Sequence, residues 1–131
     1  MNYAACEHVK TYSDFLDLYD ELSKLLLNLN KSDFVVSEKS ALILGNFMHD
    51  NNLDKESSIK SILEYFKNLH NIEIRISFEP SLEFLEKIYL LIYQYVNKHF
   101  LIKYEIDPSQ FLGATISYNG KIYKHSLVHN G

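Results

Sequence analysis

The sequence predicts an α+β protein: a helical N-terminal part over residues 1–70, then a small β-α-β-β part over residues 71–131 that ends in a hairpin. Three observations predict it. Apolar residues recur at helical spacing as far as Leu69, the period switches to two at Ile72, and Asn119-Gly120 sits between two short alternating runs near the C-terminus.

Ser13 is read as the N-cap of the first helix, with Asp14 and Asp17 in the first turn, where carboxylates complement the helix dipole. Phe15, Leu18, Leu22, Leu25, Leu26 and Leu29 follow at helical spacing, so the helix is expected over Ser13 to Leu29. A second helix is expected from Ser37 to His49 on the apolar set Ala41, Leu42, Leu44, Phe47 and Met48, closed by Asp50-Asn51-Asn52. Phe34-Val35-Val36 before it is ambiguous. Asp54 caps a third helix whose stripe is Ile59, Ile62, Leu63, Phe66 and Leu69, and Asn71 marks its end.

In the second part Ile72, Ile74, Ile76 and Phe78 fall on one face of a strand, with Glu73, Arg75 and Ser77 on the other. Pro80-Ser81 opens a long helix to His99, with a stripe of Leu85, Ile88, Tyr89, Ile92, Tyr95 and Val96 suited to covering a sheet. Phe100, Ile102, Tyr104 and Ile106 alternate again until Asp107-Pro108 stops the strand. Two strands joined by such a helix imply a parallel pair with a right-handed crossover. A two-residue hairpin at Asn119-Gly120 sets Tyr118 opposite Lys121 and Ile116 opposite Tyr123, giving Ala114, Ile116, Tyr118 and Tyr123 a common inner face.

Composition narrows the function. The 131 residues carry 13 Lys+Arg against 17 Asp+Glu, a net charge of −4, which opposes a role driven by neutralising phosphates, and the lysines form no basic stripe. A lone Cys points to a reducing compartment. The run Ile88 to Val96 falls far short of the roughly 20 apolar residues of a membrane span. Met1 to Lys10 resembles neither a signal nor a transit peptide.

Chemistry-bearing constellations are sparse. Cys6-x-His8 and His125-x-x-x-His129 have ligand-like spacing, but a zinc site needs about four converging ligands, so no metal is expected. Cys6 has no thiol partner, and Gly45, Gly113, Gly120 and Gly131 are too scattered to cradle a phosphate. Glu73, Glu83, Glu86 and Glu105 lie on expected solvent faces, and no activated serine motif is present. The tyrosines could stack single-stranded bases, yet this spacing fits core or protein interface better. No catalytic residue and no cofactor are expected.

The run Tyr104 to Ser126 resembles the end of the delta subunit of F-type ATP synthases, called OSCP in mitochondria. That family reads as a strand, Asp-Pro-Ser, two apolar residues, Gly-Gly, a strand, a Gly-Asp turn, a strand and Asp-Gly-Ser. Asp107, Pro108 and Ser109 fall on Asp-Pro-Ser, Gly113 on the second Gly, Asn119-Gly120 on the turn and Ser126 on the final Ser. Upstream, Leu42 to Leu69 is similar to the two helices before the family's second domain, with Asn46-Phe47 and Phe66-x-x-Leu69 near its usual residues. Leu112 replaces the first Gly, Lys124-His125 replaces Asp-Gly, and the closing basic helix and part of the N-terminal bundle have no counterpart here. These motif residues build turns and perform no reaction.

The resemblance implies a shortened, non-catalytic stator subunit joining the catalytic head of an F-type or F-type-like rotary ATPase to a peripheral stalk or scaffold. Its implied partners are the alpha and beta subunits and a b-type stalk subunit, with no nucleic acid and no membrane insertion. Its implied place is cytoplasmic, peripheral to the inner face of a membrane, or inside an organelle. The helical part, through Phe15, Leu18, Leu22, Phe47 and Phe66, is the implied head-binding half. The β-α-β-β part, through Phe78, Tyr89, Tyr93 and Tyr95, is the implied stalk-binding half. The rival readings are a stand-alone protein- or nucleic-acid-binding module, or a metal enzyme in which His125, His129 and Cys6 or His8 converge.

Overall fold

A computed structural model describes residues 1–31, 33–109, 113–118 and 121–126. The protein is α+β, with helices first and a four-stranded mixed sheet last. The chain divides into two compact units, Met1–Leu69 and His70–Gly131.

The first unit holds a short 3-10 turn, Ala4–His8, and three helices: α1 (Tyr12–Leu27), α2 (Glu38–Asn51) and α3 (Lys55–Lys67). Each helix starts on a side-chain oxygen that accepts a backbone N–H three residues on. Thr11 accepts from Asp14 at 3.1 Å, Ser37 from Ser40 at 3.2 Å and Asp54 from Ser57 at 2.8 Å. The cap of α1 is therefore Thr11, not Ser13. Thr11 is in extended backbone, and its hydroxyl satisfies the Asp14 N–H, which leaves Ser13 inside the first turn.

Asparagine closes the helices. The Asn28 side chain donates to the Lys24 carbonyl at 2.6 Å and Asn68 to that of Glu64 at 3.1 Å, while Asn52 adopts the left-handed conformation at φ 50°. α2 runs past His49 because Asn51 donates to the Phe47 carbonyl at 3.0 Å and exchanges hydrogen bonds with the Asn2 backbone. The core of this unit is Leu18, Leu22 and Leu25 of α1, Ile43, Leu44 and Phe47 of α2, and Ile59, Ile62 and Phe66 of α3, with Ala5, Cys6 and Val9. α2 is rotated from its sequence reading: Ser40, Ile43, Leu44 and Phe47 face in, whereas Ala41 and Leu42 face out. Ser40 turns inward because it has a partner, the Glu21 carboxylate on α1. Phe34, Val35 and Val36 form neither helix nor strand.

The second unit is β1 (Asn71–Ile76), α4 (Leu82–Val96), β2 (Leu101–Ile106), β3 (Gly113–Tyr118) and β4 (Lys121–Ser126), in sheet order β2-β1-β3-β4. β1 and β2 are parallel, as a helical connection requires, and β3 is antiparallel to both β1 and β4. The hairpin register pairs Tyr118 with Lys121 and Ile116 with Tyr123. The turn residues Asn119 and Gly120 lie outside the described residues.

Ile72, Ile74 and Ile76 of β1 are all buried while Asn71, Glu73 and Arg75 are exposed, a strict alternation. They join Ile102, Phe100 and the α4 residues Ile88, Tyr89 and Ile92 in one core, with Ile116 and Tyr118 packed against it. β1 ends at Ile76, whose carbonyl accepts the Asp107 N–H at 2.7 Å; Phe78 lies beyond the strand and meets the Phe84 ring edge-on at 5.1 Å. Ser81 caps α4, and left-handed Asn97 stops it three residues before Phe100. In β2 the alternation fails at its start, because Phe100 is buried ahead of the strand and Leu101 is buried beside Ile102.

Candidate interaction surfaces

The residues singled out for head binding are structural. Leu18, Leu22, Phe47 and Phe66 are buried, and Phe15 is half-buried with its ring 5.5 Å from that of Phe66. They hold three helices together and cannot also lie open to a partner. The apolar side chains that α1 does present are Leu16, Tyr19 and Leu27, from an apolar arc wider than the buried stripe of Leu18, Leu22 and Leu25. The breadth of that arc was visible in the sequence.

The residues singled out for stalk binding divide. Tyr89 is 5% exposed and stacks on Phe100 with ring centroids 4.2 Å apart, so it belongs to the core. Tyr95 is 85% exposed, although the sequence placed it on the covered stripe: α4 ends one residue later, and this position lies on the flank with Leu91. Phe78 and Tyr93 are partly exposed. Leu90 and Leu91, which sequence reasoning passed over, join them at the surface. The signal for them is the run Ile88 to Val96, which carries no charge: one face of a helix covers the sheet, and the rest of this run remains outside.

The motif residues shape a turn. Asp107 Oδ1 accepts the Ser109 N–H at 3.0 Å and its hydroxyl at 2.7 Å, and these bonds hold the carboxyl below its ordinary pKa. Pro108 is exposed between them, and Gly113 opens β3 opposite Ser126. Asn119, Gly120 and His129 lie outside the described residues.

Two shallow hollows are lined by the described residues. One, about 490 Å³, lies along α1 and α2, with Asp14, Asp17, Glu21 and Lys39 around buried Val9, Leu18 and Ile43. Its chemistry is internal: Lys39 reaches Asp14 at 3.6 Å, and Glu21 accepts the Ser37 N–H at 2.9 Å, the Ser37 hydroxyl at 2.8 Å and the Ser40 hydroxyl. The Ser40 bond foremost, with those from Ser37, lowers the Glu21 pKa. The other hollow, about 480 Å³, is the uncovered face of the sheet, where Glu73 pairs in register with Lys103 and Arg75 with Glu105, the latter at 3.7 Å. Among the described residues no histidine or cysteine lines either.

Cys6 is fully buried, and burial first, then the neighbouring Glu7, pushes its thiol up to about 12, while His8 is exposed. Among the described residues no three His, Cys, Asp or Glu side chains gather as metal ligands, and no helix is long and apolar enough to cross a membrane. Comparison of the chain with protein-family models, with curated proteins and with solved structures finds no match.

Proposed function

We propose that this chain is a non-catalytic stator connector, joining the catalytic head of an F-type or F-type-like rotary ATPase to a peripheral stalk or scaffold. The observation that carries the reading is its bipartite surface. There are two compact units, each with its own core, and each exposes apolar helical side chains: Leu16, Tyr19 and Leu27 on α1, and on α4 Leu90 with Tyr93 on one flank and Leu91 with Tyr95 on the other. A connector needs two such faces, one for each body it ties. The resemblance of Tyr104 to Ser126 to the delta subunit supplies the identity of those bodies.

In this reading α1 meets alpha and beta subunits of the head and α4 meets a helix of the stalk, each through its exposed apolar side chains. Rotation loads both contacts, so each has to dissociate slowly relative to the turnover of the motor. The protein works beside a membrane, peripheral to its inner face. Affinity purification from native cells under conditions that keep complexes intact tests the proposal: alpha and beta subunits should co-purify in fixed proportion. Recovery without either of them overturns it. Leu16→Asp with Tyr19→Asp should release the head and retain the stalk subunit, and Leu90→Asp with Leu91→Asp should do the reverse.

A further inference from the structure

We infer that the outer face of α2 pairs with a second copy of this chain, antiparallel, across a two-fold axis. The starting point is Gly45. It lies in the middle of α2, where glycine is about 1 kcal/mol less favourable than alanine. Nothing among the described residues calls for it: its backbone is ordinary helix, and a Cβ added there would meet nothing within 4 Å. The cost falls on the folded monomer, and the space above Gly45 is open.

The residues around that space form one straight stripe. Glu38, Leu42, Gly45 and His49 recur at i, i+4, i+7 and i+11, directly opposite the buried Ile43, Leu44 and Phe47, and all four are exposed. Leu42, 63% exposed, is the one large apolar side chain among them. Laid antiparallel against itself, this stripe is complementary at every level. Leu42 of each copy fills the space above Gly45 of the other, and Glu38 in the first turn faces His49 in the last turn of the second copy. A carboxylate acceptor then meets an imidazole donor at both ends. Parallel pairing sets Leu42 on Leu42, Gly45 on Gly45 and Glu38 on Glu38, leaving a gap and a repulsion. Neither Glu38 nor His49 has an ion pair or hydrogen bond of its own side chain among the described residues, so both are available.

A single pair of 14-residue helices buries less than a standard interface, so the dimer should form at roughly 10–100 μM chain. This pairing uses neither α1 nor α4 and does not rest on the stator reading; either can fail while the other stands.

Sedimentation equilibrium of the full chain from about 5 to 500 μM tests the inference. The wild type should show a monomer–dimer equilibrium. Leu42→Asp should weaken it at least about tenfold with little change in Tm, because Leu42 is 63% exposed in the monomer. Gly45→Ala carries the sharper test: it should raise Tm through better helix propensity and yet weaken the dimer about fivefold or more by filling the space Leu42 enters. Glu38→Lys and His49→Glu should each weaken the dimer, and the two together should restore it. A wild type that stays monomeric throughout overturns the inference, including the case where some other protein's helix takes this face. A dimer indifferent to Leu42→Asp or to Gly45→Ala overturns it equally.

Discussion

The two units are held together by different kinds of contact. In Met1–Leu69 the helices make their own backbone bonds, and what ties one helix to another is side chains: an apolar core, an aromatic contact between Phe15 and Phe66, and the Glu21 carboxylate gripping Ser37 and Ser40 at the start of α2. In His70–Gly131 the long-range ties are backbone ladders between strands far apart in sequence, with an isoleucine core beneath. Interhelical order in the first unit therefore hangs on particular side chains, including one titratable group. In the second it is written into the main chain, and the charged pairs on its open face are accessory.

The strongest way to break this comparison is through the two cores. Phe47→Ala and Ile74→Ala each remove a fully buried side chain and should cost about 3–5 and 2–5 kcal/mol in chemical denaturation. A loss under about 1 kcal/mol at either site means that core is not what holds its unit.

The charged ties come next. Glu21→Gln should cost about 1 kcal/mol, discounted because the group is only partly buried, whereas Glu105→Gln, in an exposed pair, should stay within about 0.5 kcal/mol. The sign with pH follows from the lowered Glu21 pKa. Its contribution is complete above the usual glutamate value near 4.5 and is lost as pH falls through the lower folded value. Urea midpoints of Glu21→Gln against wild type should thus differ at neutral pH and converge in acid; parallel curves would remove the carboxylate from the account.

Smaller effects test the helix ends of both units alike. Asn52→Gly and Asn97→Gly relieve a left-handed asparagine, one in each unit, and should each add about 0.5–1 kcal/mol. An unequal pair would show that one of these turns is held by more than its local conformation. Last, the Ser58 hydroxyl is buried without a partner among the described residues, so Ser58→Ala should be neutral or stabilising by about 0.5 kcal/mol, while Ser40→Ala, which abandons Glu21, should destabilise. If both serines behave alike, the distinction between a tied and an orphaned hydroxyl fails.

Legibility in the sequence followed the same division. β1 could be read residue by residue, because a period of two leaves each side chain only two directions and Ile72, Ile74 and Ile76 share one. A helix offers a continuous range of directions. α2 was accordingly read with Ala41 and Leu42 inward, and what turned it was Glu21, on another helix. No local pattern could announce that the polar Ser40 would be drawn in. The misplaced cap of α1 was avoidable: Thr11 precedes Asp14 by the three residues of a cap-and-acid pair, which Ser13 lacks. Of the surface residues, Tyr93 was legible as an aromatic on a charge-free run outside the helical stripe, whereas Tyr95 falls on that stripe in the sequence and is exposed in the fold. Tyr89, on the same stripe in the sequence, is covered, its ring stacked on Phe100 within the isoleucine core.

The sealed thiol of Cys6 has a practical consequence. Burial pushes its pKa up to about 12, which keeps the thiol protonated at neutral pH, and the sulfur has no solvent exposure. The wild-type chain should thus react slowly, if at all, with maleimides and disulfide reagents, which a thiol titration of the native protein checks. A cysteine installed at Leu16, Leu42 or Leu90 becomes the single exposed thiol in the protein, with little background to remove. Cross-linkers or fluorophores placed there can report, one helix face at a time, which faces become covered inside the cell.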